Sequence, residues 1–222
     1  MKKLKHFFIK KLNGFDIKMP PKIKNWQIMP ENKICILAPH ADDETIGCGG
    51  LLAKYGHQCD VILLTDGAYL KNKETQIIRE NEFAKVMNFF NVANFSFMRA
   101  KDTKLIEAYN LFRQLDFSKY DYVVMPHPSD AHKDHIVTQA FFKKLKKEKK
   151  LKAKAVYYEV WGPMNDATNF IDISDVTDKK RKAIDMYISQ GNINYADRIL
   201  GLNCYRGMKH NVKFAEAYKI ND

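Results

Sequence analysis

The chain has 222 residues, 45% hydrophobic and 12% aromatic, enough to bury a full core as one domain, so disorder is not the default. The formal charge of +11 favours anionic partners such as nucleotides, phosphorylated sugars, nucleic acid or a membrane surface. Lysines interrupt the first residues, Met1 to Lys11, before a signal-peptide core can form, and no run approaches a membrane span; the expectation is a soluble, cytoplasmic protein. Cys35, Cys48, Cys59 and Cys204 show no C-x-x-C spacing and read as reduced, structural thiols.

Residues 1–32 read as an irregular basic extension, with Pro20, Pro21 and Pro30 breaking any helix and Trp26 and Ile28 anchoring it on the body. Ile34-Cys35-Ile36-Leu37-Ala38 has the apolar, β-branched character of a buried strand, and it runs into Pro39-His40-Ala41-Asp42-Asp43-Glu44. Residues 45–55 have helical spacing, with glycines that let the first turn approach another backbone or a ligand closely. The G-x-G-x-x-G order is missing and the turn opens with carboxylates, which would repel a dinucleotide pyrophosphate.

Residues 61–65 form a second apolar strand and 73–90 a long helix whose apolar face is Ile77, Ile78, Phe83, Val86, Met87 and Phe90. A third strand over 94–98 and a third helix over 104–115 follow. A fourth strand over 122–125 delivers His127-Pro128-Ser129-Asp130-Ala131-His132-Lys133-Asp134-His135. The lysine run over 143–152 carries leucines at helical spacing and reads as a solvated helix face. Strands over 155–160 and 168–172 flank a Gly162-Pro163 turn, residues 177–189 form a helix capped by Thr177 or Asp178, and the tail is less regular. Four strand-helix repeats predict an α/β fold: a Rossmann-like, mostly parallel sheet flanked by helices, as a single domain over residues 33–222. Function is expected at the carboxyl ends of its strands.

Both charged clusters fall at such ends. Crowded acidic groups repel one another and are costly to bury, which points to a cation among them. His40 and Asp43 are three residues apart, as are His132 and His135, so each segment can turn two side chains toward one cavity. Two histidines and one carboxylate leave an open position, the arrangement of catalytic zinc, and also suit Fe2+. Such a metal lowers the pKa of its water to about 7, and Asp42 beside Asp43 can then take the proton. Glu44 and Asp134 read as hydrogen-bond partners of the ligands, and His127 as a structural or supporting residue.

With these two clusters in view, the chain resembles the zinc-dependent N-deacetylases that include LmbE-like proteins and PIG-L enzymes. Residues 65–67, Arg79 with Glu82, Ser189-Gln190, Tyr205-Arg206-Gly207 and Ala215-Glu216-Ala217 resemble further segments of that family. The resemblance implies that His40, Asp43 and His135 bind the metal, that Asp42 is the general base, and that His132, tuned by Asp134, stabilises the oxyanion or supplies a proton. It implies substrate contacts for Arg79 and, from the end of the third strand, Asp102. Ala41 stands where many relatives have Pro, and Asp130 where some place a tyrosine.

The function so implied is removal of acetyl from an N-acetylated, GlcNAc-type amino sugar or its conjugate, a small-molecule or glycoconjugate substrate. The alternatives are a metal-dependent hydrolase of another amide or ester and, from a different class, a basic α/β nucleic-acid-binding domain. Nucleic acid is disfavoured because no RNA-binding motif or aromatic-basic stripe accompanies the charge.

Overall fold

The computed structural model describes residues 9–12, 15–18, 22–68, 73–190 and 194–221. The signal-peptide reading of the first eight residues and the Pro20-Pro21 break lie outside them. In chain order the elements are β1 (Ile9–Leu12), β2 (Phe15–Lys18), β3 (Lys24–Asn25), β4 (Ile34–Ala38), α1 (Asp43–Tyr55), β5 (Cys59–Thr65), α2 (Lys73–Phe89) and β6 (Asn94–Ala100). They continue as α3 (Tyr109–Phe112), β7 (Tyr122–Pro126), α4 (Lys133–Lys149), β8 (Lys154–Tyr158), β9 (Asn169–Asp172), α5 (Thr177–Asp185), α6 (Tyr195–Met208) and β10 (Ala215–Asn221). No helix among the described residues is long and apolar enough to cross a membrane.

Eight strands form one sheet in the order β3-β9-β10-β8-β7-β4-β5-β6. The run from β8 to β6 is parallel throughout, and β10 is antiparallel to both β8 and β9. Within that run β4 is the first strand in sequence and the central one. The chain goes to one side of it for β5 and β6, then crosses to the other for β7 and β8. The carboxyl ends of β4 and β7 therefore flank the switch point where α/β sheets bind ligands.

β4 is buried on both faces and alternates between two cores. Ile34, Ile36 and Ala38 pack with Leu51, Phe83, Ile184 and Tyr218 under α1, α2 and α5. Cys35 and Leu37 face Phe112, Met125, Phe141 and Leu145 under α3 and α4. Each such side chain contributes about 1.5–3 kcal/mol by leaving water. The buried thiols Cys35, Cys48 and Cys59 belong to these cores, and Cys204 is exposed.

Several boundaries differ from the sequence reading. The extension is not wholly irregular: β1 and β2 pair as an antiparallel hairpin, β3 joins the sheet beside β9, and Trp26 sits edge-on to Tyr122 and Tyr218 in the core. The expected third helix is a 3-10 turn followed by the four-residue α3, because of its residues only Leu105 and Phe112 bury fully. β8 stops at Tyr158, since Glu159 turns away to bind Arg206 and the backbone N–H of Met164. α5 stops at Asp185, and its N-cap position is Val176: the Thr177 hydroxyl donates back to the Ile173 carbonyl (2.9 Å) instead of capping. The tail, read as less regular, holds α6 and β10.

The glycines of α1 admit side chains rather than a ligand. A Cβ on Gly49 would stand 2.8 Å from Lys180 Cγ, and one on Gly50 would collide with Ile173. Through this opening the Lys180 ammonium donates to the Ile46 carbonyl (2.8 Å), while the Glu216 carboxylate accepts from Gly50 N (2.6 Å) and Leu51 N (3.0 Å). The ion pair thus sits across the Ile46–Gly50 rung of the helix, tying α1 to α5 and β10.

Candidate active site

The turn after β4 is fixed first. Thr65, at the end of β5, donates to the Pro39 carbonyl through its backbone N–H (3.1 Å) and its hydroxyl (2.7 Å). Three residues later Asp42 adopts φ 130°, a conformation that costs a non-glycine residue about 1–3 kcal/mol. Its side chain is held by the Tyr195 hydroxyl (3.0 Å), and the preceding Ala41 carbonyl accepts from the Gln190 amide.

That turn separates two neighbouring carboxylates. Asp43 folds back so that Oδ2 accepts from His40 N (2.8 Å) and lies 3.2 Å from His40 Nδ1 and 3.1 Å from His135 Nε2. The carboxylate oxygen therefore stands between the two imidazoles. Asp42 turns instead to Tyr195, and both carboxylates line the neighbouring cavity. The β7–α4 loop supplies the rest: His135 Nδ1 lies 3.0 Å from Asp130 Oδ1, and the His132 ring centroid is 4.5 Å from that of His40 and 5.0 Å from that of His135. Donor atoms of His40, His132 and His135 fall within 4.8 Å of one another, as do those of His40, Asp102 and Asp134.

These residues fit a divalent cation. Tetrahedral zinc with bonds of about 2.0–2.2 Å sets its donor atoms roughly 3.3–3.6 Å apart, a few tenths of an ångström beyond the separations of Asp43 Oδ2 from the two imidazoles. His40 Nε2 and both ring nitrogens of His135 are buried without a well-directed hydrogen bond among the described residues, although carboxylate oxygens lie close by. Burial would depress His40, yet Asp102, Asp134 and Asp43 raise it well above the usual histidine range. Burial likewise opposes protonation of His135, and Asp43 and Asp130 still push it up to about 9. A field that favours positive charge on two imidazoles also favours a metal between them.

The surroundings have separate tasks. Burial, then the charges of Asp43 and Glu44, raise Asp42 well above the ordinary carboxylate range. Glu44 is pushed up to about 7 by burial, against hydrogen bonds from Thr45 (2.6 Å) and Tyr187 (2.5 Å). The backbone N–H of Asp134 donates to His132 Nδ1 (3.3 Å), so the neutral His132 ring carries its proton on Nε2. Asp134 itself accepts from Thr103 N (2.9 Å) and lies 3.4 Å from His40 Nε2. Asp102 lies 3.3 Å from the same nitrogen, so it touches the imidazole as well as the cavity.

A cavity of about 250 Å³ opens over this centre, lined by His40, Asp42, Arg79, Asp102, His132 and Trp161 among others. Arg79 Nε is buried there without a partner among the described residues. His40, Asp42, Asp43, Arg79, Asp102 and His132 line this cavity, His135 and Asp134 lie against Asp43 and His40, and Glu44 is held by Thr45 and Tyr187. His127 pairs instead with Asp166 (3.1 Å) and Ser129 (2.7 Å). Sequence reasoning missed Tyr187, Tyr195 and Trp161, and it noted Asp130 only as a departure from relatives. The position of Asp130, just ahead of the two histidines, was the one available signal.

An α/β sheet with a histidine-carboxylate centre at its switch point defines an α/β protein with a candidate metal site. Residues 35–146 match the PIG-L family, described as GlcNAc-PI de-N-acetylase, and the chain belongs to that family. Its fold is similar to that of the N,N'-diacetylchitobiose deacetylase from Pyrococcus horikoshii, at 21% identity over 86% of this chain and 84% of that one, with a TM-score of 0.73. A deacetylase of the teicoplanin biosynthesis pathway matches at 16% identity over 86% and 99% of the two chains (TM-score 0.67). The 4-carboxy-2-hydroxymuconate hydratase from Pseudomonas putida matches at 17% over 86% and 96% (TM-score 0.63). At these identities the likeness is one of fold, and a fold shared with a hydratase leaves the reaction to be argued from the site.

Proposed function

We propose that this protein hydrolyses the N-acetyl group of a GlcNAc-type amino sugar or its conjugate. The observation that carries the reading is the division of the adjacent carboxylates, both on the cavity wall: Asp43 stands between His40 and His135, while the strained turn sends Asp42 to Tyr195. His40, Asp43 and His135 would hold a divalent cation, with zinc or Fe2+ suited to the donor set. When bound, that ion would polarise the amide carbonyl and acidify a water molecule.

The chain's own groups do the remainder. Asp42 takes a proton from the attacking water as the C–O bond forms, and returns it to nitrogen as the C–N bond breaks, giving acetate and a free amine. His132 donates its Nε2 proton as a hydrogen bond to the developing oxyanion, with Asp134 N fixing the tautomer. Arg79 offers its uncommitted Nε to the sugar, and Asp102 a carboxylate to a sugar hydroxyl.

The membership of the PIG-L family and the deacetylases of similar fold support this chemistry. The test is acetate release from free GlcNAc, GlcNAc conjugates, nucleotide-linked sugars and N-acetylated glycan fragments, with zinc and iron compared anaerobically. Acetate from none of them, with turnover of a different amide or an ester, would overturn the reading.

A further inference from the structure

Glu82, Ser189 and Gln190 belong to segments singled out in the sequence, and the reaction just described gives them no task. The structure joins them. Glu82 lies on α2 one turn beyond Arg79, so the two share a helix face. It is buried, and its carboxylate oxygens accept from Ser189 N (2.8 Å) and Ser189 Oγ (2.5 Å), 107 residues away in sequence. The stretch so anchored is Tyr187-Ile188-Ser189-Gln190, just beyond α5, which Gln190 N closes into a turn by donating to the Tyr187 carbonyl (3.1 Å). Ile188 and Ser189 are exposed, so the bonds to Glu82, rather than core packing, hold this part of the turn down.

The turn grips the Ala41–Asp42 peptide by both of its polar ends. At one end the Gln190 side-chain amide donates to the Ala41 carbonyl. At the other, Asp42 N donates to Glu44 Oε2 (3.3 Å), and Glu44 Oε1 accepts from the Tyr187 hydroxyl (2.5 Å). A peptide unit is planar, so holding its oxygen and its N–H fixes the plane, and the φ of 130° at Asp42 then sets the direction in which that side chain leaves the backbone. Such a φ persists only where the surroundings over-determine it. Tyr195 holds the far end of the Asp42 side chain, and the 187–190 turn holds the near end.

Resting on the deacetylase reading, we propose that Glu82 is a positioning residue for the general base. By anchoring Ser189 it keeps Gln190 and Tyr187 on the two ends of the Ala41–Asp42 peptide, and so aims Asp42 at the attacking water. It acts through these contacts rather than on the substrate. Because Glu82 stands one turn from Arg79, the helix that meets the sugar also aligns the base.

The test combines kinetics and hydrogen exchange on the zinc-loaded protein. Glu82→Ala, or Ser189→Ala should that variant fail to fold, is expected to keep its metal and to lower kcat about 10²-fold with KM near that of the parent, since a misplacement of about an ångström costs a reacting group that much. Glu82→Gln, whose amide oxygen still accepts from Ser189 N, should recover most of the rate. In an Asp42→Asn background, Glu82→Ala should change the residual rate by less than about two-fold, because groups that act as a unit are not additive. Amide exchange over residues 39–44, followed by mass spectrometry, should quicken in Glu82→Ala and in Gln190→Ala. A loss carried by KM would assign Glu82 to the placement of Arg79 and overturn the proposal, as would losses that multiply in the double variant or unchanged exchange over residues 39–44. Failure of the underlying reading looks different: exchange over residues 39–44 would quicken in the variants while the parent released no acetate from any N-acetylated sugar. The hold on the turn would then stand, and the same double-variant comparison would be run on the amide or ester that the parent does hydrolyse.

Discussion

Lys180 Nζ stands 2.7 Å from Glu216 Oε1, and both side chains are buried completely. Removing one partner strands the other charge between helix and sheet. Lys180→Met is expected to lower unfolding free energy by about 3–5 kcal/mol, whereas Lys180→Met combined with Glu216→Leu should recover much of the loss. Urea denaturation of the single and double variants measures both. A single variant within 1 kcal/mol of the parent would show that the pair carries little stability.

Asp42→Asn should keep its metal and lose roughly 10²- to 10⁴-fold in kcat, because the amide leaves the ligand set untouched but accepts no proton. Elemental analysis beside an acetate assay separates the outcomes. A metal-free protein would make Asp42 a ligand, and a fully active one would remove it from the mechanism.

Substituting Ala for His40, Asp43 or His135 should each reduce metal content. Asp130→Asn should weaken metal affinity by about 10- to 100-fold, as expected for a group that orients a ligating imidazole. Competition with a chromogenic chelator gives the ranking. Stoichiometric zinc in all three Ala variants would sink the ligand assignment.

Arg79→Ala should raise KM roughly ten-fold or more with a smaller effect on kcat, since its role is to meet the sugar rather than the reacting bond. Unchanged kinetics on the true substrate would reassign it to helix packing.

Away from the site, burial would raise the Asp60 carboxyl, but hydrogen bonds from Lys119 (2.8 Å), Tyr120 (2.6 Å) and Asn94 (3.0 Å) outweigh it and hold the group below its ordinary 3.8. The folded state then binds fewer protons than the unfolded state in that range. The stabilisation is fully present above pH 3.8 and is lost as pH falls through the folded value. Acid titrations of unfolding free energy for the parent and Asp60→Asn should therefore differ above pH 3.8 and converge as pH falls through the lower, folded value.

The parallel half of the sheet was legible because β4, β5 and β7 are short apolar runs bounded by turns and charges. The metal cluster was legible because its residue types recur at fixed spacing at two strand ends. α6 was not: its buried positions Tyr195, Ala196, Leu200, Asn203, Arg206 and Gly207 have helical spacing, but three of the six are Asn, Arg and Gly, so no apolar stripe shows. β10 hides for a related reason, since its buried Glu216 looks solvated until Lys180 is placed beside it. Tyr195 gave no signal at all, as only tertiary structure brings it to Asp42. The extent of α3 was overread where helical spacing continued past the residues that bury, whereas α5 ends at Asp185 although Tyr187 beyond it is buried.

The partners of the β4–α1 turn lie far along the chain: Tyr187 is 143 residues from Glu44, Tyr195 is 153 from Asp42, and Glu216 is 165 from Leu51. During synthesis the ribosome delivers His40 and Asp43 early and these clamps late. The unfavourable φ of Asp42 has no compensation until they dock, so β4 to β8 can assemble first while the turn still samples relaxed conformations. Closure of the candidate metal site is then among the last steps in the assembly of the nascent protein.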